Sequence, residues 1–168
     1  YSDFGGYEYN GRMYFASTRP NENTNNKKLY TWNEQPFLDI YETSVSETNG
    51  LKEHGPSIPI DITSINTDFH ESTIAITNDG KTIYFSRDNL NKRNKLDSDK
   101  KGTTHLKIYK ATYNGKRWVD IEELPFNSNQ YNCAHPALSP DEDYLYFSSD
   151  MPGSKGESDL YKVSISDN

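Results

Sequence analysis

The side chains of this sequence best equipped for chemistry are a few histidines and a set of clustered carboxylates. His70 and Glu71 are adjacent, and a histidine beside a carboxylate is the smallest equipment for acid and base catalysis or for a metal ligand pair. They precede a stretch of strand character, where neighbouring side chains point to opposite faces. The two are therefore expected to diverge and to act as hydrogen-bonding groups, with His70 kept as a candidate for binding in a central channel. His135 stands directly before Pro136, which is expected to hold it extended. Counted back from the turn aspartates Asp141 and Asp79, His135 shares the register of Thr73. It is the first candidate for contact with a ligand on the inner face of its sheet. The run Asp141-Glu142-Asp143, with Asp150, Glu157 and Asp159, offers oxygen ligands of the kind calcium takes. No D-x-[DN]-x-[DN]-G loop accompanies it, so Asp141 reads as the turn residue of a hairpin. G-x-S-x-G, G-x-G-x-x-G, P-loop and His-x-x-x-His patterns are all missing. No catalytic residue, metal or cofactor is assigned, and the chain is expected not to be an enzyme.

Such residues need elements to position them, and composition narrows the choice. The 168 residues suit one domain by length, but only 32% are hydrophobic. Much of the apolar surface is aromatic, with 13 Tyr, 7 Phe and 2 Trp, and a Tyr-rich chain can build thin sheet layers because each ring keeps a polar tip. The net charge of -7 argues against nucleic acid as a partner, since that affinity comes from clustered Lys and Arg. The one basic cluster, Lys92, Arg93, Lys95, Lys100 and Lys101, is diluted by Asp97 and Asp99 and reads as a solvated loop. The lone cysteine, Cys133, excludes an internal disulfide. No apolar run is long enough to span a membrane.

The sequence repeats itself. DGKTIYFSR (79–87) and DEDYLYFSS (141–149) place a Tyr-Phe pair at the same distance from a turn aspartate, and NGRMYFAS (10–17) carries the same pair after a shorter turn. DIYETSV (39–45), KIYKATY (107–113) and DLYKVSI (159–165) follow, each opening a period-two run on an aliphatic-Tyr pair. Alternation of this kind, punctuated by Asn-Gly or Asp-Gly, is the signature of antiparallel hairpins. The second copy predicts four strands, at 72–77, 82–87, 106–113 and 117–122, with Thr73 and Ala75 on one face and Ile74 and Ile76 on the other. An inner strand at 134–139 follows in the third copy. Four short antiparallel strands per repeat is the plan of a β-propeller blade. The expected fold is all-β, with blades at 7–66, 69–130 and 131–168 forming an incomplete ring or a fragment of a larger propeller. An open sheet edge is expected at each end of the chain. Inserts at 18–37, 88–105 and 150–158 vary in length, as rim loops that carry recognition do.

The stretch HPALSPDEDYLYFSSDMPGSKGESDLYKVSI (135–165) resembles the WD-repeat-like propeller motif of the Tol-system translocation protein. It is closer still to propellers of Bacteroidota envelope proteins that also carry tetratricopeptide and outer-membrane-protein-A-like, peptidoglycan-binding domains. FHESTIAITNDGKTIYFSR and KIYKATYNGKRWVDIEELPFNS are similar to the same group, so the resemblance covers nearly the whole chain. It implies a periplasmic, outer-membrane-associated scaffold, in some members linked to type IX secretion or gliding. Peptidoglycan would then be reached only through domains that these residues do not include.

The expected function is a non-catalytic protein-interaction scaffold of the cell envelope, with other envelope proteins as partners. Trp32 and Phe37, two large apolar rings in an otherwise polar insert, are the expected anchors. The alternative is the propeller of an enzyme, a peptidase gate or a channel-centred hydrolase or lyase, binding a small ligand or metal.

Overall fold

The chain is all-β. A computed structural model describes residues 1–21, 29–60 and 64–165, and these form strands, turns and loops with no helix among them. They divide into two compact units, Tyr1–Thr73 and Ile74–Asn168.

The first unit is built on β1 (Asp3–Tyr9) and β2 (Arg12–Ser17), joined at Asn10-Gly11 with φ of 48° and 71°. Positive φ at both central residues is what a tight hairpin needs to follow strand twist, and Asn-Gly is the pair that supplies it. A small hairpin of β3 (Leu29–Tyr30) and β4 (Gln35–Pro36) comes next, then β5 (Asp39–Thr48), β6 (Leu51–His54) and β7 (Ile58–Pro59). The sheet runs β1-β2-β5-β6, with β7 also on β5. Between Phe4 and Tyr7 the register slips at Gly5, φ 69°. A side chain there would begin 3.0 Å from Thr73 Cγ2, so the bulge has room only for glycine. Asn66 closes the far side by mimicking a peptide group. Its Oδ1 accepts the Ile40 N–H at 2.8 Å and its Nδ2 donates to the Ile40 carbonyl at 2.9 Å.

In the second sheet β8 (Glu71–Ile76), β9 (Thr82–Asp88), β10 (Leu106–Tyr113) and β11 (Trp118–Glu123) lie in the order β11-β10-β9-β8. Each matches its sequence-predicted strand to within a residue or so. A third sheet, β12 (Cys133–Leu138), β13 (Tyr144–Ser149) and β14 (Asp159–Ser164), runs in that order. Asn127 repeats the clamp of Asn66, accepting the Ile108 N–H at 3.0 Å and donating to its carbonyl at 2.7 Å.

Two expectations need correction. The regular alternation expected of β8 is interrupted at Thr73, where φ is 24°. Pro136 does not hold His135 extended either; φ is 59°, at a register slip between Ala134 and Ala137. At both places a positive φ interrupts the inner strand, and in β12 the register slips with it, a local geometry that hydrophobic periodicity does not encode.

One packing unit recurs in all three sheets. Phe15 stacks on Tyr41, Phe85 on Tyr109 and Phe147 on Tyr161, at 6.1, 5.9 and 5.8 Å between ring centroids. Each pair sits directly across neighbouring strands, where such contacts add roughly 0.5–1.5 kcal/mol beyond burial. Within the second unit, Tyr84, Ile108 and Leu124 meet Cys133, Leu145 and Phe147 in one core, and Phe126 lies flat on Phe147 at 4.3 Å.

Candidate functional site

The surface feature most distinct from its surroundings is the β3–β4 hairpin, and its geometry starts from Tyr30. The Tyr30 carbonyl accepts the N–H groups of Asn33 and Glu34 at 3.3 and 2.9 Å, and Glu34 takes φ 55° to turn the chain back. The Gln35 N–H then donates to Asn33 Oδ1 at 3.1 Å, an Asx turn that locks the tip. From outside the hairpin, the Ser2 hydroxyl donates to Gln35 Oε1 at 3.0 Å. Trp32 sits at this braced tip with 84% of its surface exposed, and Leu29 at the base is 52% exposed.

Beneath the tip, aromatic rings hold the hairpin to its unit. The Tyr30 ring lies 6.5 Å from Trp32, 5.6 Å from Phe37 and 4.7 Å from His70, meeting the last edge-on at 86°. Phe37 in turn packs on His70 at 4.6 Å and Phe69 at 5.5 Å. His70 Nδ1 accepts the Leu38 N–H at 3.0 Å, which requires that nitrogen to be unprotonated. Burial among these rings pushes the imidazole pKa down to about 4, so His70 is neutral at physiological pH.

Three of the four sequence-predicted binding residues, Trp32, Phe37 and His70, therefore belong to one cluster, with different positions in it. Trp32 is on the surface. Phe37, only 7% exposed, is interior and supports the hairpin rather than presenting a ring at the rim. An aromatic in a polar insert does not reveal by type alone which way it faces. His70 and Glu71 diverge: Glu71 is fully buried and accepts from the Thr67 N–H at 2.9 Å and the Thr67 hydroxyl at 2.6 Å. The fourth residue, His135, is exposed in the second unit, where its N–H donates to Ser86 Oγ at 3.0 Å.

Other carboxylates have local roles. Asp141 is a turn residue, accepting from the Ser139 hydroxyl and the Asp143 N–H. Asp39, Lys107 and Asp159 do share a strand position. Asn21 donates to Asp39 Oδ2 at 2.9 Å, and burial raises the Asp39 carboxyl pKa to about 6. Lys107 instead pairs with Glu123 at 2.7 Å.

Sequence reasoning passed over Tyr30, Arg19 and the two clamp asparagines. Arg19 lines an open cleft of about 360 Å³ with Tyr1, Tyr41 and Pro59. Its charge is already engaged, by Asp3 at 2.9 Å and by the Phe15 ring beneath its guanidinium at 5.0 Å. The only available signal for the clamps was an Asn following a short apolar group after the last strand of a copy, in SINT and LPFN. Residues 22–28 of the insert that runs to Phe37 lie outside the described residues.

Comparison with protein-family models finds no match, and comparison with curated proteins finds none. No helix among the described residues is long and apolar enough to cross a membrane.

Proposed function

We propose that the chain is part of a β-propeller, its three sheets being successive blades, and that it serves as a non-catalytic interaction scaffold of the cell envelope. Support for the blade reading comes from the repeat itself. Three sheets share strand order, the cross-strand Phe-Tyr stack and a positive φ in the inner strand, and a second-sheet face packs on the third. The envelope location, periplasmic and near the outer membrane, rests on the sequence resemblance alone.

The observation that carries the interaction reading is Trp32. A tryptophan left 84% exposed on a hairpin fixed by its own turn, by Ser2 and by an aromatic base is a preorganised anchor. Binding surfaces concentrate their energy in such rings, and a tip ordered before contact loses little entropy on docking. Trp32→Ala is the direct test. Capture of the partner from an envelope extract should fall at least tenfold while the far-ultraviolet circular dichroism spectrum stays unchanged. Undiminished capture would remove the hairpin from the interface. Phe37→Ala is unsuited to this purpose, because it empties a core position and costs about 3–5 kcal/mol of stability.

A further inference from the structure

The insert between β9 and β10 has a design that its composition conceals. Five of the chain's 18 Lys and Arg residues, Lys92, Arg93, Lys95, Lys100 and Lys101, fall within it, and all five are exposed. Its backbone makes two successive turns of one pattern. In the first, the Asn91 N–H donates to the Lys95 carbonyl at 2.8 Å and the Asn94 N–H to the Asn91 carbonyl at 2.9 Å. Asn91 Oδ1 accepts the N–H groups of Arg93 and Lys95 at 2.9 and 3.3 Å. In the second, the Asp99 N–H donates to the Thr103 carbonyl at 2.9 Å and the Gly102 N–H to the Asp99 carbonyl at 3.0 Å. Asp99 Oδ1 accepts the N–H groups of Lys101 and Thr103 at 2.8 and 2.9 Å. The fourth residue of each turn, Asn94 or Gly102, takes a positive φ, 54° and 83°. Both turns therefore hold a pair of cations at their two central positions, Lys92-Arg93 in one and Lys100-Lys101 in the other.

The aspartates that dilute this cluster in the sequence are turned to other tasks in the structure. Asp99, its side chain only 11% exposed, directs its oxygens to its own turn and to His105 Nε2, 3.4 Å away. Asp97 Oδ2 accepts from Asn129 Nδ2 at 3.4 Å. Among the described residues, none of the five cations has an ion-pair partner. The two turns are also tied together. The Asp97 N–H donates to the Asn89 carbonyl at 2.8 Å, Leu90 and Leu96 form an antiparallel bridge, and the Ser98 and Thr104 hydroxyls lie 3.0 Å apart. The cation pairs thus stand on fixed backbone, and little order is lost when they meet a partner.

We propose that this pair of turns docks the protein on a lipid bilayer that carries anionic headgroups. The central residues of a tight turn form a convex tip, which suits a flat array of phosphates and has no walls to enclose a single anion or a peptide. Arg93 and Lys100 are seven positions apart, so their Cα atoms lie within about 25 Å of each other, and both pairs can reach one patch of headgroups. Leu96, 38% exposed between the two pairs, supplies an apolar contact for the boundary beneath the headgroups. No Phe, Tyr or Trp stands in the insert to stack on a nucleic-acid base. The net charge of -7 does not oppose docking at close range, because carboxylates farther away than about 8 Å are screened at physiological ionic strength. The surface includes neither Trp32 nor its hairpin, and stands or falls apart from that reading.

Co-sedimentation with lipid vesicles tests the proposal. The chain should be recovered with vesicles of equal parts phosphatidylcholine and phosphatidylglycerol, stay in solution with phosphatidylcholine alone, and be released by concentrated salt. Each basic residue near an anionic surface contributes about fivefold to partition. Lys92→Glu with Arg93→Glu, and Lys100→Glu with Lys101→Glu, should therefore each lower partition at least tenfold. All four positions are in solvent, and an unchanged circular dichroism spectrum checks that the variants fold. Lys116→Glu with Arg117→Glu, an exposed pair in the β10–β11 turn, alters net charge by the same amount and should leave partition nearly unchanged. Failure to bind the anionic vesicles, equal recovery on both vesicle types, or equal loss in the Lys116 and Arg117 variant would overturn the proposal. Binding of soluble poly-glutamate without recovery on vesicles would overturn it in favour of an acidic protein segment.

Discussion

At the scale of single residues, the buried titratable groups make opposing contributions to acid stability. His70 is held neutral with its pKa lowered to about 4, while the unfolded chain takes up a proton near pH 6.5. Between those values the unfolded state binds more protons, so the His70 contribution is complete above pH 6.5 and is lost as pH falls towards 4. Asp39 behaves in the reverse sense. Its folded pKa is raised to about 6, so its burial costs least at low pH and the cost grows as pH rises from about 4 to 6. His70→Asn keeps an acceptor for the Leu38 N–H and should flatten the acid limb of a thermal-melt series. Asp39→Asn should raise the melting temperature above pH 6 and leave it unchanged near pH 4. The clamp residue Asn127 is a different case. Asn127→Ala strands the Ile108 N–H in the interior, while the Ile108 carbonyl keeps the Leu124 N–H at 3.1 Å, and urea denaturation should report a loss of about 1–3 kcal/mol, the cost of one unsatisfied buried group.

At the scale of elements, what could be read in advance was whatever follows from periodicity and turn chemistry. Strands β8 to β14 and the Asn-Gly turn at Asn10 announce themselves by period-two runs and by residues that tolerate positive φ. The β3–β4 hairpin does not. Its strands are two residues long, too short for any alternation, and its stability comes from rings at Phe69 and His70, more than thirty positions further along the chain. Nor do the positive-φ positions of the inner strands, since Gly5, Thr73 and His135 have nothing in common as residue types. Their geometry makes Gly5 a sensitive point. Gly5→Ala must place a Cβ against Thr73 while holding φ 69°, and should cost about 1–3 kcal/mol, readable in the same denaturation assay. Of the candidate site, the residue types were legible and the orientations were not: Trp32 and Phe37 lie five positions apart, one in water and the other in the core.

At the scale of the molecule, stability is distributed by repetition, and equivalent positions are not equivalent in consequence. Ile108 and Leu160 occupy the same place in β10 and β14, yet one is sealed and the other is in water. Ile108→Ala should destabilise the chain by about 2–5 kcal/mol. Leu160→Ala should change it by no more than about 0.5 kcal/mol, as surface substitutions do. Calorimetry of the two variants side by side measures how far the third sheet relies on its bare face. Equal losses would mean that Leu160 is covered in solution.

The two tryptophans stand in opposite environments, Trp32 in solvent and Trp118 8% exposed against the Tyr113 ring at 5.2 Å. The protein therefore carries its own pair of optical labels. A collisional quencher such as iodide reaches the first indole and spares the second, so the quenchable fraction of the emission isolates the hairpin tip. Shielding of that fraction on titration would reveal a docked ligand without any dye or tag. A blue shift in the unquenched remainder is not expected, because nothing at the tip need disturb β11.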